Sequence, residues 1–483
     1  MTAVDTLIRG AMIYDGLGGE PLATDLAVAG ERILRIGDCR EISAAHVIDA
    51  DGLALAPGFI DAHCHDDLAL LAMPDMTPKA SQGVTTVING NCGISAAPLA
   101  PGERPPTPPL NLLCARRDAF FASVPAYVAR LEAEPAALNS ALLCGHTNLR
   151  ELVVSDLERP ANPAEIAAMA DLLEQALQAG AIGLSTGLFY PPARAASTEE
   201  VIALAQRLAA YGGLYVTHMR DEADGVLASL RETFRIGWEA GVPVIVSHHK
   251  CVGAANFGRS RETLAAIAEA SQSQAVGLDA YPYDASATIL QAERVAASRR
   301  VIVTWSEAMP SASGRDLAEI AGELGCDLPE AARRLQPAGA IYFQLDEGDV
   351  RRILADPLTM IGSDGILADR HPHPRSWGSF PRVLGRYCRE QQLFPLAEAI
   401  RKMTSLPARR FGLADRGVLL EGAFADLTLF DPATVRDRAD YAQPCVPADG
   451  ITMVFVNGRP VWRDGAATGA RPGRVLRRGT PRF

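Results

Sequence analysis

From residue 53 onward, short runs rich in Val, Ile, Leu and Ala alternate with amphipathic stretches of helical period. Eight runs stand out: LALAPGFIDAH (53–63), TTVING (85–90), ALLCGH (141–146), AIGLSTG (181–187), LYVTHMR (214–220), PVIVSHH (243–249), AVGLDAYPY (275–283) and LTMIGSD (358–364). Near-continuous apolar runs are the mark of strands buried on both faces, and eight of them predict an α/β fold, a (β/α)8 TIM-like barrel. The intervening stretches carry helix punctuation. Asn162 before Pro163 predicts a cap and a first-turn proline, Gly180 a C-terminal stop, and Ser197 to Glu200 a capping box.

The two ends of the chain read differently. LAVAGERILRIGD, FADLTLFDP and MVFVNGRPVWRDG alternate apolar with polar positions, and Asn457-Gly458 is a strong hairpin signal. Residues 1–52 and 413–483 are therefore expected to build one small β domain beside a barrel of residues 53–412. Residues 284–357, between the seventh and eighth runs, are too long for an ordinary βα connection and include the helix-like GRDLAEIAGELG, which predicts an inserted lid.

Composition narrows the function classes. Of 483 residues, 48% are hydrophobic and 21% charged, as expected of a folded chain, and the net charge of −11 argues against a phosphate-binding surface. No nucleic-acid partner is expected. Nine cysteines without a CxxC pair, in a chain this long, predict reduced thiols; no charged start with an apolar h-region and no run of 18 apolar residues occurs, so no membrane partner and a cytoplasmic location are expected. Lys79, Lys250 and Lys402 are the only lysines.

In a barrel of this kind, the chemistry collects where strands end at the C-terminal rim. There the sequence has His63 and His65 at the end of run one, Asn91-Cys92 after run two, His218 in run five, His248 in run six and Asp364 in run eight. If residues 53–64 are extended, His63 and His65 point the same way, and two imidazoles on one face can grip one metal ion. Imidazole, thiolate and carboxylate are zinc ligands, and six such groups suffice for one ion or two, with an open position for water to be activated. His249 must face away from His248 and is read as structural, while Asp66 and Asp67 fit a helix N-terminus.

PGFIDAHCH, single histidines closing runs five and six, and IGSDG together resemble the amidohydrolase superfamily. Within it the chain is similar to the D-aminoacylases, the N-acyl-D-amino-acid deacylases, from GAMIYDG through GNCGIS, HMRDEAD, SHHK, LDAYPY, PAGAIYF and IGSDG to ADLTLFDPATV. Many dinuclear members carry a carboxylated lysine near the end of strand four, but AIGLSTGLFYPP contains none. The resemblance instead implies Cys92, His218 and His248 as ligands of one tight Zn2+, with His63, His65 and Asp364 framing a second, weaker position.

The implied reaction is zinc-dependent hydrolysis of the amide of an N-acyl-D-amino acid, a small-molecule substrate, with Asp364 as general base and acid. The free carboxylate of such a substrate demands a cation, and the resemblance implies Arg375 and Lys250, with Tyr281 and the lid residue Tyr342 completing the pocket. Where similar sequences place a serine after YPY, this chain has Ala287 between Ser286 and Thr288, so side-chain preference is left open. Two alternatives stand beside this reading: a cyclic-amide hydrolase of the hydantoinase or dihydroorotase kind, and a non-catalytic scaffold on the same barrel.

Overall fold

The apolar runs become eight parallel strands in the computed structural model, which describes residues 3–480. Barrel strands one to eight are Phe59–Asp61, Val84–Asn89, Asn139–Gly145, Gly183–Gly187, Leu214–His218, Val244–Val246, Val276–Ala280 and Thr359–Ile361. They neighbour one another in chain order, and every residue in them is buried. The ring is completed between strands one and eight, where Ala62 N donates to Ile361 O at 3.2 Å and Cys64 bridges Gly365. Ile60, Ile88, Leu143, Val216, Ile245 and Met360 share one apolar cluster with Phe411. Because His218 and Val216 are two apart on strand five they share a face, so this cluster fills the barrel below the rim on which His218 sits.

Run one departs from expectation. It is two strands: Ala54–Pro57 belongs to the small β domain, pairing with Leu427–Phe430 and with Ala3–Ile13, and only Phe59–Asp61 enters the barrel. Gly58 marks the break, because a Cβ there would lie 2.2 Å from the Thr85 side chain. The β domain thus runs to residue 57 rather than 52. Ile60 and Ala62 face the barrel interior, so strict alternation would have turned His63 and His65 outward; the chain leaves strand geometry after Asp61 and brings both back in.

The β domain is one sheet made by both ends of the chain. Ala3–Ile13, Leu22–Ala29, Arg32–Gly37, Ser43–Asp49 and Ala54–Pro57 join Leu427–Phe430, Ile451–Val456, Arg459–Arg463 and Ala466–Ala467. Asn457 (φ 48°) and Gly458 (φ 76°) make the predicted hairpin turn in the left-handed region that such turns require. Val475–Leu476, expected in this domain, instead pairs in parallel with barrel strand three.

The helices follow their caps with one exception. Pro163–Ala179 has a full capping box between Asn162 and Glu165 and stops at Gly180, at φ 111°. Thr198–Ala205 has half of its box: Ser197 Oγ accepts from Glu200 N at 3.1 Å, but the Glu200 carboxylate turns inward to Arg150 and His146, at 2.6 and 3.0 Å. Burial with an arginine partner wins over a solvent-exposed cap.

The insertion is a subdomain with its own core. Ala285–Ile289, Val301–Ser306 and Ala338–Phe343 form an antiparallel sheet, backed by Leu317–Leu324 and Leu328–Arg334. It ends before residue 357, since the helix Glu347–Ala355 packs Val350, Ile353 and Leu354 into the main barrel core. Among the described residues no helix is long and apolar enough to cross a membrane.

Candidate active site

Six of the side chains read from the sequence meet at the rim. His63, His65, Cys92 and Asp364 offer four donor atoms within 4.8 Å of one another, and Cys92, His218 and His248 offer three. Cys92 is common to both groups. Its Sγ lies 3.3 Å from His63 Nε2 and 3.2 Å from His248 Nε2, while His248 Nε2 is 3.0 Å from His218 Nδ1. Tetrahedral zinc with N and S ligands separates its donors by about 3.3–3.6 Å, so small shifts would seat an ion here.

Three of these residues lie beyond their strands in left-handed backbone: Cys92 at φ 53°, His248 at φ 34° and Asp364 at φ 49°. Such backbone costs a non-glycine residue of order 1 kcal/mol or more and persists where the surroundings impose it. The Cys92 loop is imposed by strand four. Gly93 N donates to Ser185 Oγ at 3.0 Å, and Ser185 Oγ donates in turn to Gly90 O. A Cβ on Gly187 would stand 2.2 Å from Cys92 O. Position 187 therefore admits no side chain, and the backbone of the thiol loop fills that space.

Neighbouring groups set the ligand tautomers. His63 Nδ1 faces Asp279, 3.4 Å from Oδ2, which turns Nε2 toward Cys92. Asp279 Oδ1 also accepts from His248 N at 2.9 Å, so one carboxylate on strand seven orients both histidines. His248 Nδ1 lies 3.1 Å from Glu222 Oε1 and 2.8 Å from Lys250 Nζ; it can donate to the first or accept from the second, and a ligand role at Nε2 selects the first.

The electrostatics favour anionic donors. Burial opposes ionising the Cys92 thiol, yet the His248 and His63 imidazoles hold it well below the ordinary thiol range. Burial also opposes the Asp364 carboxylate, but Arg375, His248 and the hydrogen-bonding His65 hold it well below the usual range. Asp364 Oδ1 is 3.2 Å from His65 Nε2 and 3.5 Å from His63 Nε2. Its backbone N donates to His63 O at 2.7 Å, so strands one and eight place it together. The buried Lys79 spans 2.7 Å to Asp61 and 2.6 Å to Ser363.

Arg375 is fully buried, with Nη1 2.7 Å from Asp364 Oδ2 and Nη2 donating to Ala287 O at 3.1 Å. Its Nε makes no hydrogen bond, nor does the buried Tyr281 hydroxyl, over whose ring the guanidinium stacks at 4.7 Å. Lys250, 2.7 Å from Glu222, lies 5.7 Å from the same ring. Unspent buried donors beside a cation are what an anionic ligand group would satisfy. Tyr342 differs from expectation: its hydroxyl donates to Ile289 O (2.9 Å) and accepts from Gln291 N (2.7 Å), committed to the lid's own backbone. It reaches the site through its ring, 5.1 Å beneath Arg294.

Sequence reading missed Glu222, Asp279 and Arg294. Glu222 stands four residues after His218 and Asp279 closes strand seven, so the rim position that flagged the histidines applied to them also. His249, Thr263-bonded at 2.8 Å and pushed by burial down to about 4, is structural as expected. His146, His371 and His373 bind Glu200, Tyr441 O and Ala285 O and belong to neither of the two donor groups.

Comparison with known proteins places these features among relatives. A family model described as "Amidohydrolase family" matches residues 46–257 and 239–462. A D-aminoacylase of Alcaligenes xylosoxydans xylosoxydans is 54% identical over 98% of this chain and 98% of its own. An N-acyl-D-aspartate deacylase from the same organism is 51% identical over 98% of this chain and 95% of its own. A crystal structure of N-acyl-D-glutamate deacylase from Bordetella bronchiseptica, complexed with zinc and a phosphonate mimic of the tetrahedral intermediate, superposes with a TM-score of 0.95 at 48% identity, covering 98% of this chain and 100% of that one.

Proposed function

The chain belongs to the amidohydrolase family, among the D-aminoacylases, and from this membership and the rim geometry we propose that it hydrolyses N-acyl-D-amino acids with an acidic side chain, releasing a carboxylate and the free D-amino acid. The observation that carries the reading is the convergence of thiol, imidazoles and carboxylate around one point, with Asp364 beside it. Zn2+ suits a donor set of one thiolate and two imidazoles. Cys92, His218 and His248 would hold the tight ion, and His63, His65 and Asp364 with Cys92 would frame a weaker one. When bound, such an ion polarises an amide carbonyl and makes water a competent nucleophile near neutral pH.

The protein's own groups do the rest. Asp364, kept ionised by Arg375 and His65, accepts the proton of the attacking water and returns it to the amine nitrogen as the C–N bond breaks. Without that return the amine would leave as an unfavourable anion. Arg375 Nε, the Tyr281 hydroxyl and Lys250 hold the substrate carboxylate, fixing its distance from the scissile carbonyl. Glu222 and Asp279 hold the ligand imidazoles in register. The nine cysteines are unpaired, which accords with a cytoplasmic location.

Arg294 supports the acidic preference. It lines the pocket with Asp364 and Lys250, and its guanidinium has no hydrogen-bond or ion-pair partner among the described residues; it lies over Phe189 at 5.0 Å and Tyr342 at 5.1 Å. Its lid neighbours are spent: Ser286 Oγ accepts from Gln344 at 2.8 Å, and Thr288 Oγ1 meets Tyr190 at 2.9 Å. A carboxylate at the end of the substrate side chain would complete it. The cyclic-amide and scaffold alternatives lack a comparable observation, since strand four ends without a lysine and every candidate ligand is present.

The test is a panel of N-acetyl-D- and N-acetyl-L-amino acids with Zn2+-loaded protein. N-acetyl-D-glutamate or N-acetyl-D-aspartate should be the best substrate, the L forms unreactive. Arg294→Leu should lower kcat/KM for the acidic substrates by about 10- to 100-fold, the loss of roughly 1.5–3 kcal/mol of charge-assisted bonding, and raise it for N-acetyl-D-leucine. Absence of turnover across the D panel would overturn the reading.

A further inference from the structure

The site's walls are unequal, and that inequality assigns the third arm of the substrate. Around the reacting carbonyl of an N-acyl-D-amino acid stand the α-carboxylate, the amino-acid side chain and the acyl substituent. On the deacylase reading above, Arg375, Tyr281 and Lys250 take the first, beside strands six and seven. Arg294 borders both the inner pocket and an outer groove of about 520 Å3 shared with Phe189 and Val252, so the roomy side receives the second. Of the remaining lining, Tyr190 and Thr288 are hydrogen-bonded to each other and Ser286 to Gln344, beside Ala287, which leaves an apolar wall on the side of strands one, two and eight: Ile94, Leu112 and Ile366.

This wall is apolar and braced. Ile94 follows the Cys92-Gly93 loop, Ile366 follows Asp364-Gly365, and Leu112 closes a short helix, Leu110–Leu112, on the segment that crosses the rim after strand two. All three are 1–4% exposed and belong to one cluster with Leu99, Leu113 and Phe120 packed behind them. The inner pocket as a whole is narrow, with a free volume of about 20 Å3, so no spare cavity lies along this wall. No polar group on this wall could hold a charged arm, whereas an alkyl group loses nothing there.

We infer that Ile94, Leu112 and Ile366 form the acyl seat and restrict this chain to N-formyl and N-acetyl substrates. Leu112 is the residue whose size sets the limit, because Ile94 and Ile366 are tied by their glycines to the ligand loop and to Asp364, whereas Leu112 arrives on a separate segment. A methylene accommodated or refused in an apolar pocket changes kcat/KM by about 10- to 200-fold.

The experiment measures kcat/KM of Zn2+-loaded wild type, Leu112→Ala, Leu112→Phe and Leu113→Ala with N-formyl, N-acetyl, N-butyryl and N-hexanoyl derivatives of the best D-amino acid from the panel. Leu113 lies in the same cluster, equally buried, but does not line the pocket, so Leu113→Ala reproduces the packing loss alone. Leu112→Ala should raise the butyryl-to-acetyl ratio at least tenfold, Leu112→Phe should raise the formyl-to-acetyl ratio, and Leu113→Ala should move neither. A wild type that already takes hexanoyl as well as acetyl overturns the inference, as does a ratio that stays within twofold in Leu112→Ala or shifts equally in Leu113→Ala. A wild type inactive on every acyl derivative instead sinks the deacylase reading, and the acyl seat with it.

Discussion

Asp364→Asn is expected to retain bound metal and lose about 10²- to 10⁴-fold in kcat/KM, the usual weight of one positioned proton-transfer group. The substitution keeps the shape of the side chain and its place between His65 and Arg375 but removes its capacity to take a proton. Cys92, His218 and His248 do not depend on Asp364, so metal content at the tight position should be unchanged by elemental analysis. The loss should fall on kcat more than on KM, because the proton moves in the transition state and not on binding. Activity within threefold of wild type, with metal in place, would falsify the role assigned to Asp364.

Cys92→Ala should remove both metal and activity. The thiol is the one donor shared by the two ligand groups, and its anionic form is stabilised by the imidazoles around it. Without it, His218 and His248 offer two neutral nitrogens, too few for a structural or catalytic zinc site. The backbone at φ 53° treats alanine and cysteine alike, so folding itself should survive, and circular dichroism should overlay that of wild type. We expect no stoichiometric metal after dialysis and a drop of more than about 10³-fold in kcat/KM, set by the loss of Lewis-acid chemistry. Full zinc content in dialysed Cys92→Ala would mean that the ligands lie elsewhere.

Much of this arrangement is written in local pattern, and its gaps have physical causes. Strands buried on both faces leave long apolar runs, so the barrel was legible, as was the Asn457-Gly458 hairpin, whose turn demands left-handed residues. The break at Gly58 was not, because LALAPGF stays apolar across a change of sheet; only the contact with Thr85, distant in sequence, forces it. Strand alternation predicted that His63 and His65 would share a side, and they do, but by leaving the strand after Asp61 and not by continuing it.

The site was legible to the extent that its residues are chemically rare. Histidines and a cysteine at strand ends are conspicuous; Glu222 and Asp279 share that rim position but carry common side chains, and Arg294 comes from the lid helix Ala292–Val295. Tyr342 shows the opposite limit. A tyrosine on the lid suggests a hydroxyl for the substrate, but the lid sheet needed that hydroxyl for its own backbone at Ile289 and Gln291. Glu200 likewise gave up a cap for a buried arginine.

Groups distant in the chain converge to bind one ion, and on that ion hydrolysis should depend. Titrating metal-free protein with Zn2+, while following bound metal and turnover of N-acetyl-D-glutamate in the same samples, tests it most directly. Activity should rise in step with one tightly bound ion per chain. Undiminished turnover by the metal-free protein, or an ion that binds stoichiometrically without any gain in rate, would contradict it.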